Sequence, residues 1–415
     1  MKFFINSYFG DNQSIGLLSH IKKRLPYGMD DQWMVFSHYT ERGWTVDNLW
    51  HIFTDFYGGQ YAPLAFLSYL VLYAGFGYDP FYFHMFSLLL HIGCVCLVWK
   101  LISSLLRVHG GVSEKQILYV NFITTLLFAV HPINVEAVAW ISALKVLLYA
   151  FFYLLGLLCY LRYIRTSKIF YYVLTIGCFL CSFWGKEQAV TFPLALLIVD
   201  WFTNRNMKNL EVGSEKMSFL IMAFFFGIIT VLSQGKGPYE MIFPLYQRLL
   251  FGCFALVEYI TKSLLPVNLN FFYPFPIVLG EEPPLHYYLY PVVLLFLMGW
   301  IIAYRNNRYL VFGVLLFLVN LLFSIHLFNM SRHAIVADRY MYLSYVGIVF
   351  LIANGIWWLR KRLSYFKAAL VFLFFYCFFL SVYTFHYTKK WENTTMVKKY
   401  TKEVLEKRLN GSNHL

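Results

Sequence analysis

The chain has 415 residues, of which 60% are hydrophobic and only 13% charged, with a mean hydropathy of +0.58. Apolar runs reaching the ~20 residues needed to cross a bilayer exclude the soluble globular class and imply an all-α polytopic integral membrane protein. The net charge of +13 sits in short connections and never forms a face interleaved with stacking aromatics, which argues against a nucleic-acid partner and for positive-inside topology.

Residues 1–79 read as a large external loop of short amphipathic helices. It is too polar over 3–21 for a cleavable signal and rich in Trp and Tyr (Trp33, Trp44, Trp50, Tyr57, Tyr61), as suits a segment at a membrane interface. Asp30 and Asp31 lie side by side in it. Adjacent carboxylates repel, so either one acquires a raised pKa and can serve as a base, or both are neutralised by a cation, a divalent metal included. The plainer alternative is an acidic pair at the start of a helix, where the dipole favours it. No second ligand set accompanies the pair, so no metal is assigned.

Residues 80–385 carry the membrane domain. Apolar runs at 81–106, 117–131, 145–164, 169–184, 188–203, 217–233, 286–304, 309–328, 340–358 and 365–385 are expected to cross, with 245–265 in doubt, giving about 10–11 helices. In the doubtful run Arg248, Glu258 and Lys262 share one arc, so it reads either as an interfacial helix or as a span lining a polar cavity. All seven cysteines lie in apolar segments without metal-ligand spacing and read as small buried hydrophobes.

Connections 107–116, 165–168, 204–216, 305–308 and 359–367, with adjoining span ends, hold fifteen Lys and Arg against four acids, which assigns them to the cytoplasm. The polar residues of the other face then include Asp30, Asp31, His131, Glu136, Lys186, Glu187, Arg332, His333, Asp338 and Arg339. A short span at 62–76 would put the Asp pair on the opposite side from the rest.

Four constellations on that face invite chemistry. His131-Pro132 ends a span, and Glu136 opens a short amphipathic helix over 134–143 that leads to Lys145. Ionisable groups at membrane depth are site candidates by default, the alternative being a Glu136–Lys145 pair. Lys186-Glu187 joins two apolar runs with almost no connector, so both face a polar cavity or each other. Asp338-Arg339 begins a span after Arg332-His333, and an Arg fork there suits a phosphate, unless Asp338 simply caps the helix. His84 and His91, seven apart on one helix face, either reach a shared polar site or are core histidines. The loop 266–285, with Tyr273-Pro274-Phe275-Pro276 and Glu281-Glu282, lines a carbohydrate or lipid groove or closes a helix turn. Residues 386–415 form a short basic tail, a solvated end or a docking segment for a partner protein.

In order, DDQW (30–33), NLWHIFTDFYGGQYAPLAFLSY (48–69), GYDPFYFHMFSLLLH (77–91), LLFAVHPINVEAVAWIS (126–142), GKEQAVTFPLALLIVDW (185–201), QRLLFGCFALVEYITKSLLPVNLNFFYPFP (247–276) and ADRYMYLSYVGI (337–348) resemble the membrane domain of the transmembrane and tetratricopeptide-repeat O-mannosyltransferases and their bacterial relatives, over roughly residues 27–395. The resemblance implies a GT-C glycosyltransferase fold and a polyprenyl-phosphate-linked sugar donor. It also implies inverting transfer to an acceptor hydroxyl on a protein or glycan, at the non-cytoplasmic face, with the bacterial cytoplasmic membrane favoured over the endoplasmic reticulum. The family's catalytic acidic pair falls on Asp30 and Asp31. Lys186 and Arg339, with His131 and Arg332 in reserve, are the residues that charge and side assign to the donor phosphate. Glu136, Glu187, Lys145, Asp338, His84, His91 and Tyr61 are assigned supporting roles. Departures are specific: Tyr61-Ala62-Pro63 replaces a Tyr-Arg-Pro motif, and Ala143-Leu144-Lys145-Val146 replaces Gly-Arg-Lys-Asp. Met1–Tyr27 supplies no span before the acidic pair. Residues 391–415 show no 34-residue period, so repeats within this chain are not expected to recognise the acceptor. Two rival readings follow, a noncatalytic accessory subunit with the same fold and a transporter of lipid-linked sugars. The second would be marked by internal repeats and paired broken helices, which the sequence does not display.

Overall fold

The structure is a computed structural model that describes residues 30–234, 243–327 and 334–412. Arg332 and His333 lie outside them. Four short helices come first, α1 (Asp31–Met34), α2 (His38–Glu41), α3 (Val46–Thr54) and α4 (Pro63–Phe76). The long α5 (Pro80–His109) and α6 (Glu114–Val130) follow, and a 3-10 turn leads to α7 (Val135–Ala139). Next are α8 (Leu144–Thr166), α9 (Ile169–Gly185), α10 (Phe192–Phe202), α11 (Leu210–Gln234) and α12 (Leu245–Leu264). The chain continues through α13 (Leu289–Ala303), α14 (Arg308–Leu321), α15 (Met341–Trp358), α16 (Leu363–Lys389) and α17 (Thr394–Ser412).

Among the described residues six helical segments are long and apolar enough to cross a membrane, and a seventh is formed if α6 and the following Pro132–Ala139 segment, bent by 51°, count as one broken span. The fold is therefore that of an all-α polytopic membrane protein. The apolar runs at 169–184 and 309–328 form shorter helices. The run at 188–203 is divided between a 3-10 segment, Glu187–Thr191, and the eleven-residue α10, because Pro193 favours the first turn of a helix and cannot continue one from before it.

Packing separates a protein-buried centre from a rim. In the span Ile141–Thr166, which contains α8, 78% of the apolar window is buried inside the protein, against 6% for the α13 span and 11% for α16. Lipid tails are as apolar as leucine, so the centre is held by close contact rather than by hydrophobic exclusion. Small residues supply that contact. A Cβ on Gly185 would lie 2.7 Å from the Tyr149 backbone nitrogen, and one on Gly347 would lie 2.5 Å from the Gly313 carbonyl oxygen. These glycines let α9 press on α8 and α15 on α14.

The ends are set by local chemistry. Asp79 accepts the Phe81 N–H at 3.1 Å ahead of Pro80 to start α5, and Ser113 caps α6. Ser167, at φ 53°, reverses the chain between α8 and α9. At that end of the bundle, Asp200 is fully buried between the Tyr160 hydroxyl and the Lys216 ammonium, with Arg205 bridging it to Glu215.

The opposite end carries the acidic pair. Here the expected helix over 134–143 is broken, with α7 stopping at Ala139, Trp140 extended, and a 3-10 turn over Ile141–Ala143 leading into α8. Near it, β1 (Tyr273–Pro274) pairs antiparallel with β2 (Ala334–Val336). The basic tail is no solvated end. α17 buries Val397, Thr401 and Val404, Thr401 donates to Asn270 at 2.8 Å, and Trp391 packs against Trp140 and Phe271.

Candidate active site

The break at Trp140 shapes the site. Leaving the helix there frees the Ser142 backbone N–H from an intrahelical partner and turns it toward Asp31, whose Oδ1 accepts it at 3.0 Å and also accepts the Ser142 hydroxyl. Asp31 is 1% exposed. Burial disfavours its charged form and, with the neighbouring Asp30 charge adding to the effect against the Ser142 hydrogen bonds, pushes its carboxyl up to about 7. Its Oδ2 has no hydrogen-bond partner among the described residues, and the Trp140 indole acts on the same carboxyl. Asp30 is half-buried beside it and carries no side-chain capping bond, so the pair is not held as a helix cap.

Three residues beyond Ser142, in the first turn of α8, Lys145 is buried and donates to Gln60 Oε1, with Met34 Sδ at 3.7 Å. Its ammonium is within electrostatic reach of Asp30, Glu187 and Arg339. Asp31 to Ser142 and Gln60 to Lys145 are direct contacts, so the amino-terminal segment and the 131–145 turn meet at one end of the bundle. Both Lys186 and Arg339 lie over the Tyr340 ring, at 4.7 and 5.2 Å from its centroid, and Arg339 also lies 5.2 Å from the Trp140 ring. Asp30, Asp31, Lys145, Lys186, Glu187 and Arg339 thus form one constellation.

The expected Glu136–Lys145 pair does not form. Glu136, fully buried, accepts the Arg339 backbone N–H at 2.6 Å and its guanidinium at 2.5 Å, because α7 ends before it can point along the chain toward α8. Arg339 is consequently neutralised in part and held in place. Nor does Asp338 cap α15. It is buried and accepts from Lys262 at 3.1 Å and from the Tyr273 hydroxyl at 2.9 Å, with the Lys262 ammonium 3.2 Å from the Tyr273 ring centroid. Lys262 also lies 3.8 Å from Glu258. The polar arc of α12 and the aromatic loop therefore serve as the buttress behind Arg339.

Other expected residues stand apart. Tyr61 donates to the Phe53 carbonyl at 2.9 Å, anchoring the α3–α4 connection. His84, His91 and His131 line a separate groove of 960 Å³ between α5, α7 and α16. Within it His91 bonds to the Tyr342 hydroxyl at 2.7 Å, and His131 accepts the Ile133 N–H at 3.2 Å while packing 4.5 Å from Tyr345. Among the described residues no group of three or more His, Cys, Asp or Glu gathers as a metal cluster would. Ser142, Gln60, Trp140 and Lys262 were not singled out as site residues by sequence. Only Lys262 carried a signal, its place on the charged arc of α12.

A bilayer-spanning α-bundle with a buried carboxylate and cation cluster at one end defines the class, a polytopic membrane protein. Sequence comparison adds relatives. The chain is 30% identical over 203 residues to protein O-mannosyl-transferase tmtc2 of Xenopus laevis, covering 45% of this chain and 23% of that protein. It is 33% identical over 189 residues to protein O-mannosyl-transferase TMTC2 of Homo sapiens, covering 41% and 21%. It is 28% identical over 172 residues to protein O-mannosyl-transferase Tmtc3 of Drosophila melanogaster, covering 37% and 18%. These matches support the resemblance carried by the motifs: the chain is a sequence relative of the transmembrane and tetratricopeptide-repeat O-mannosyltransferases. The matched stretch spans about a fifth of those relatives' length. No family model and no solved structure matches the chain.

Proposed function

We propose that the chain is a membrane glycosyltransferase of GT-C type that moves a sugar from a polyprenyl-phosphate donor to an acceptor hydroxyl at the non-cytoplasmic face, with inversion. The observation that carries this reading is Asp31, a buried carboxyl pushed up to about 7 beside Asp30, which itself lies within electrostatic reach of Lys145 and Arg339. A general base works best with a pKa near the operating pH. In the proposed step Asp31 takes the proton of the acceptor hydroxyl as its oxygen attacks C1 of the sugar. The bond from C1 to the phosphate oxygen breaks, and the lipid phosphate leaves with the electron pair.

Charge develops on that phosphate, so cations already fixed nearby stabilise the transition state without reorganising. Lys145 and Lys186 take this role, and Arg339, held by Glu136, presents what remains of its guanidinium fork. Asp30 stands beside the base and within electrostatic reach of Lys145 and Arg339. The names of the three relatives describe protein O-mannosyl transfer, which makes mannose and a protein hydroxyl the first donor sugar and acceptor to assay. A divalent cation at Asp30 and Asp31 is the one cofactor this reading admits, and full activity in EDTA would remove it.

Turnover of lipid-linked sugar by Asp30→Asn and Asp31→Asn variants tests the proposal. Loss in Asp31→Asn of at least a hundredfold, with folding retained, is expected. A transporter would keep moving donor across the membrane in both variants, and an accessory subunit would show no turnover to lose.

A further inference from the structure

The groove holding the three histidines lies outside the proposed active site. Its 960 Å³ is at the upper end of the ~300–1,000 Å³ typical of ligand sites. Its walls are apolar and continuous with membrane-facing surface: Phe81, Leu88 and Phe385 are 59%, 45% and 61% exposed, and α16 is almost wholly at the rim. The lining carries both signs of charge, Lys389 and Glu392 at the end of α16 and Asp79 at the start of α5. Asn134, also in the lining, is 3% exposed, and its Oδ1 accepts no hydrogen bond among the described residues, its amide nitrogen being used on the Phe128 carbonyl at 2.8 Å.

We infer that this groove binds one membrane phospholipid with a zwitterionic headgroup bearing a primary ammonium, a phosphatidylethanolamine, its chain along the apolar wall between α5 and α16. These charged groups select the headgroup. A phosphate suits Lys389, and an ammonium suits the carboxylates of Glu392 and Asp79, whereas an anionic glycerol headgroup would face two carboxylates against one cation. The free Asn134 acceptor asks for a donor, which ethanolamine has and choline lacks. Glu136 on the other face of α7, and Trp391, which lines the groove and packs on Trp140, put this lipid one side chain away from the proposed active site. The inference does not depend on the glycosyltransferase reading.

The test is native mass spectrometry of the full chain from nanodiscs containing equal mole fractions of phosphatidylethanolamine, phosphatidylcholine and phosphatidylglycerol, with and without equimolar polyprenyl phosphate. One retained phosphatidylethanolamine, at least tenfold over the other lipids, is expected. Val138→Trp, which fills the groove, should abolish retention. Lys389→Glu, on the exposed rim and safe for folding, should cut it at least tenfold, and Glu392→Lys should turn the preference toward phosphatidylglycerol. Equal retention of the three lipids, displacement by polyprenyl phosphate, or a preference unmoved by Lys389→Glu and Glu392→Lys would each overturn the inference.

Discussion

Removing the Ser142 hydroxyl should move the pH dependence of turnover upward. Asp31 titrates near 7 because burial outweighs two hydrogen bonds from Ser142, its backbone N–H at 3.0 Å and its hydroxyl, that favour the charged carboxylate. Ser142→Ala keeps the first and deletes the second. A hydrogen bond to a charged group contributes about 1.5–3 kcal/mol, and about 1.4 kcal/mol corresponds to one pKa unit, so the carboxyl should rise by roughly one to two units. If Asp31 acts as base, activity follows the ionised fraction. The acid-side limb of kcat/KM, near 7 in the wild type, should then shift to about 8–9, with activity at pH 7 falling about five- to fiftyfold and recovering as pH rises. Ser142→Thr retains a hydroxyl and should stay close to wild type. The assay is initial-rate transfer from a radiolabelled polyprenyl-phosphate sugar to acceptor between pH 5.5 and 9.5. A uniform loss at all pH values, with the limb still near 7, would show that Ser142 matters only for shape and that Asp31 is not the titrating base.

Three further outcomes follow from the same geometry. The raised carboxyl has a stability consequence: with a folded pKa of about 7 against 3.8 when unfolded, the folded state binds the extra proton, so the contribution of Asp31 to stability is greatest below about pH 4 and is lost between about 4 and 7, by roughly 4 kcal/mol in total. Asp31→Asn should flatten that dependence in thermal unfolding series, and an unchanged slope would contradict the burial argument. Arg339→Ala leaves Glu136 buried without its cation, at a cost of about 3–5 kcal/mol. Adding Glu136→Gln should restore part of the melting temperature, and a double variant no more stable than the single one would show that the pair is not coupled. Trp391→Ala removes the buried ring between Phe271 and Trp140, which should cost about 3–5 kcal/mol and make α17 the first site of proteolysis; cleavage elsewhere first would mean the helix is not held there.

Much of the architecture was legible because the membrane imposes a coarse code. A run of about twenty apolar residues is a span whatever it packs against, and the ends of α5, α6 and α16 fall close to the hydropathy limits. Pairing was not legible, since hydropathy does not say which residues of different helices meet. Glu136 and Lys145 are nine residues apart and were natural partners on a continuous helix. The extended Trp140 between them sends Glu136 to Arg339, 203 positions away, and Lys145 to Gln60, 85 positions back. Ser142 was invisible for a related reason: a serine after a helix break has no charge or periodicity to mark it, and its importance comes only from what it touches.

The local geometry also accommodates the departures from the family's motifs. Where a cation is missing at Ala62, the position is 3% exposed and packed among Tyr39, Ala65 and Phe66 in an apolar cluster, and the neighbouring Gln60 instead reaches the retained cation, Lys145. A neutral amide holds an ammonium in position without cancelling its charge, whereas a carboxylate would neutralise it. Glu136 does the opposite to Arg339, consuming part of its charge while fixing its place against Trp140 and Tyr340. Of these two cations, Lys145 is thus kept electrically available and Arg339 is committed to structure. On that division Lys145 rather than Arg339 is the side chain whose loss should fall mainly on the chemical step, and Arg339 the one whose loss should fall on the fold.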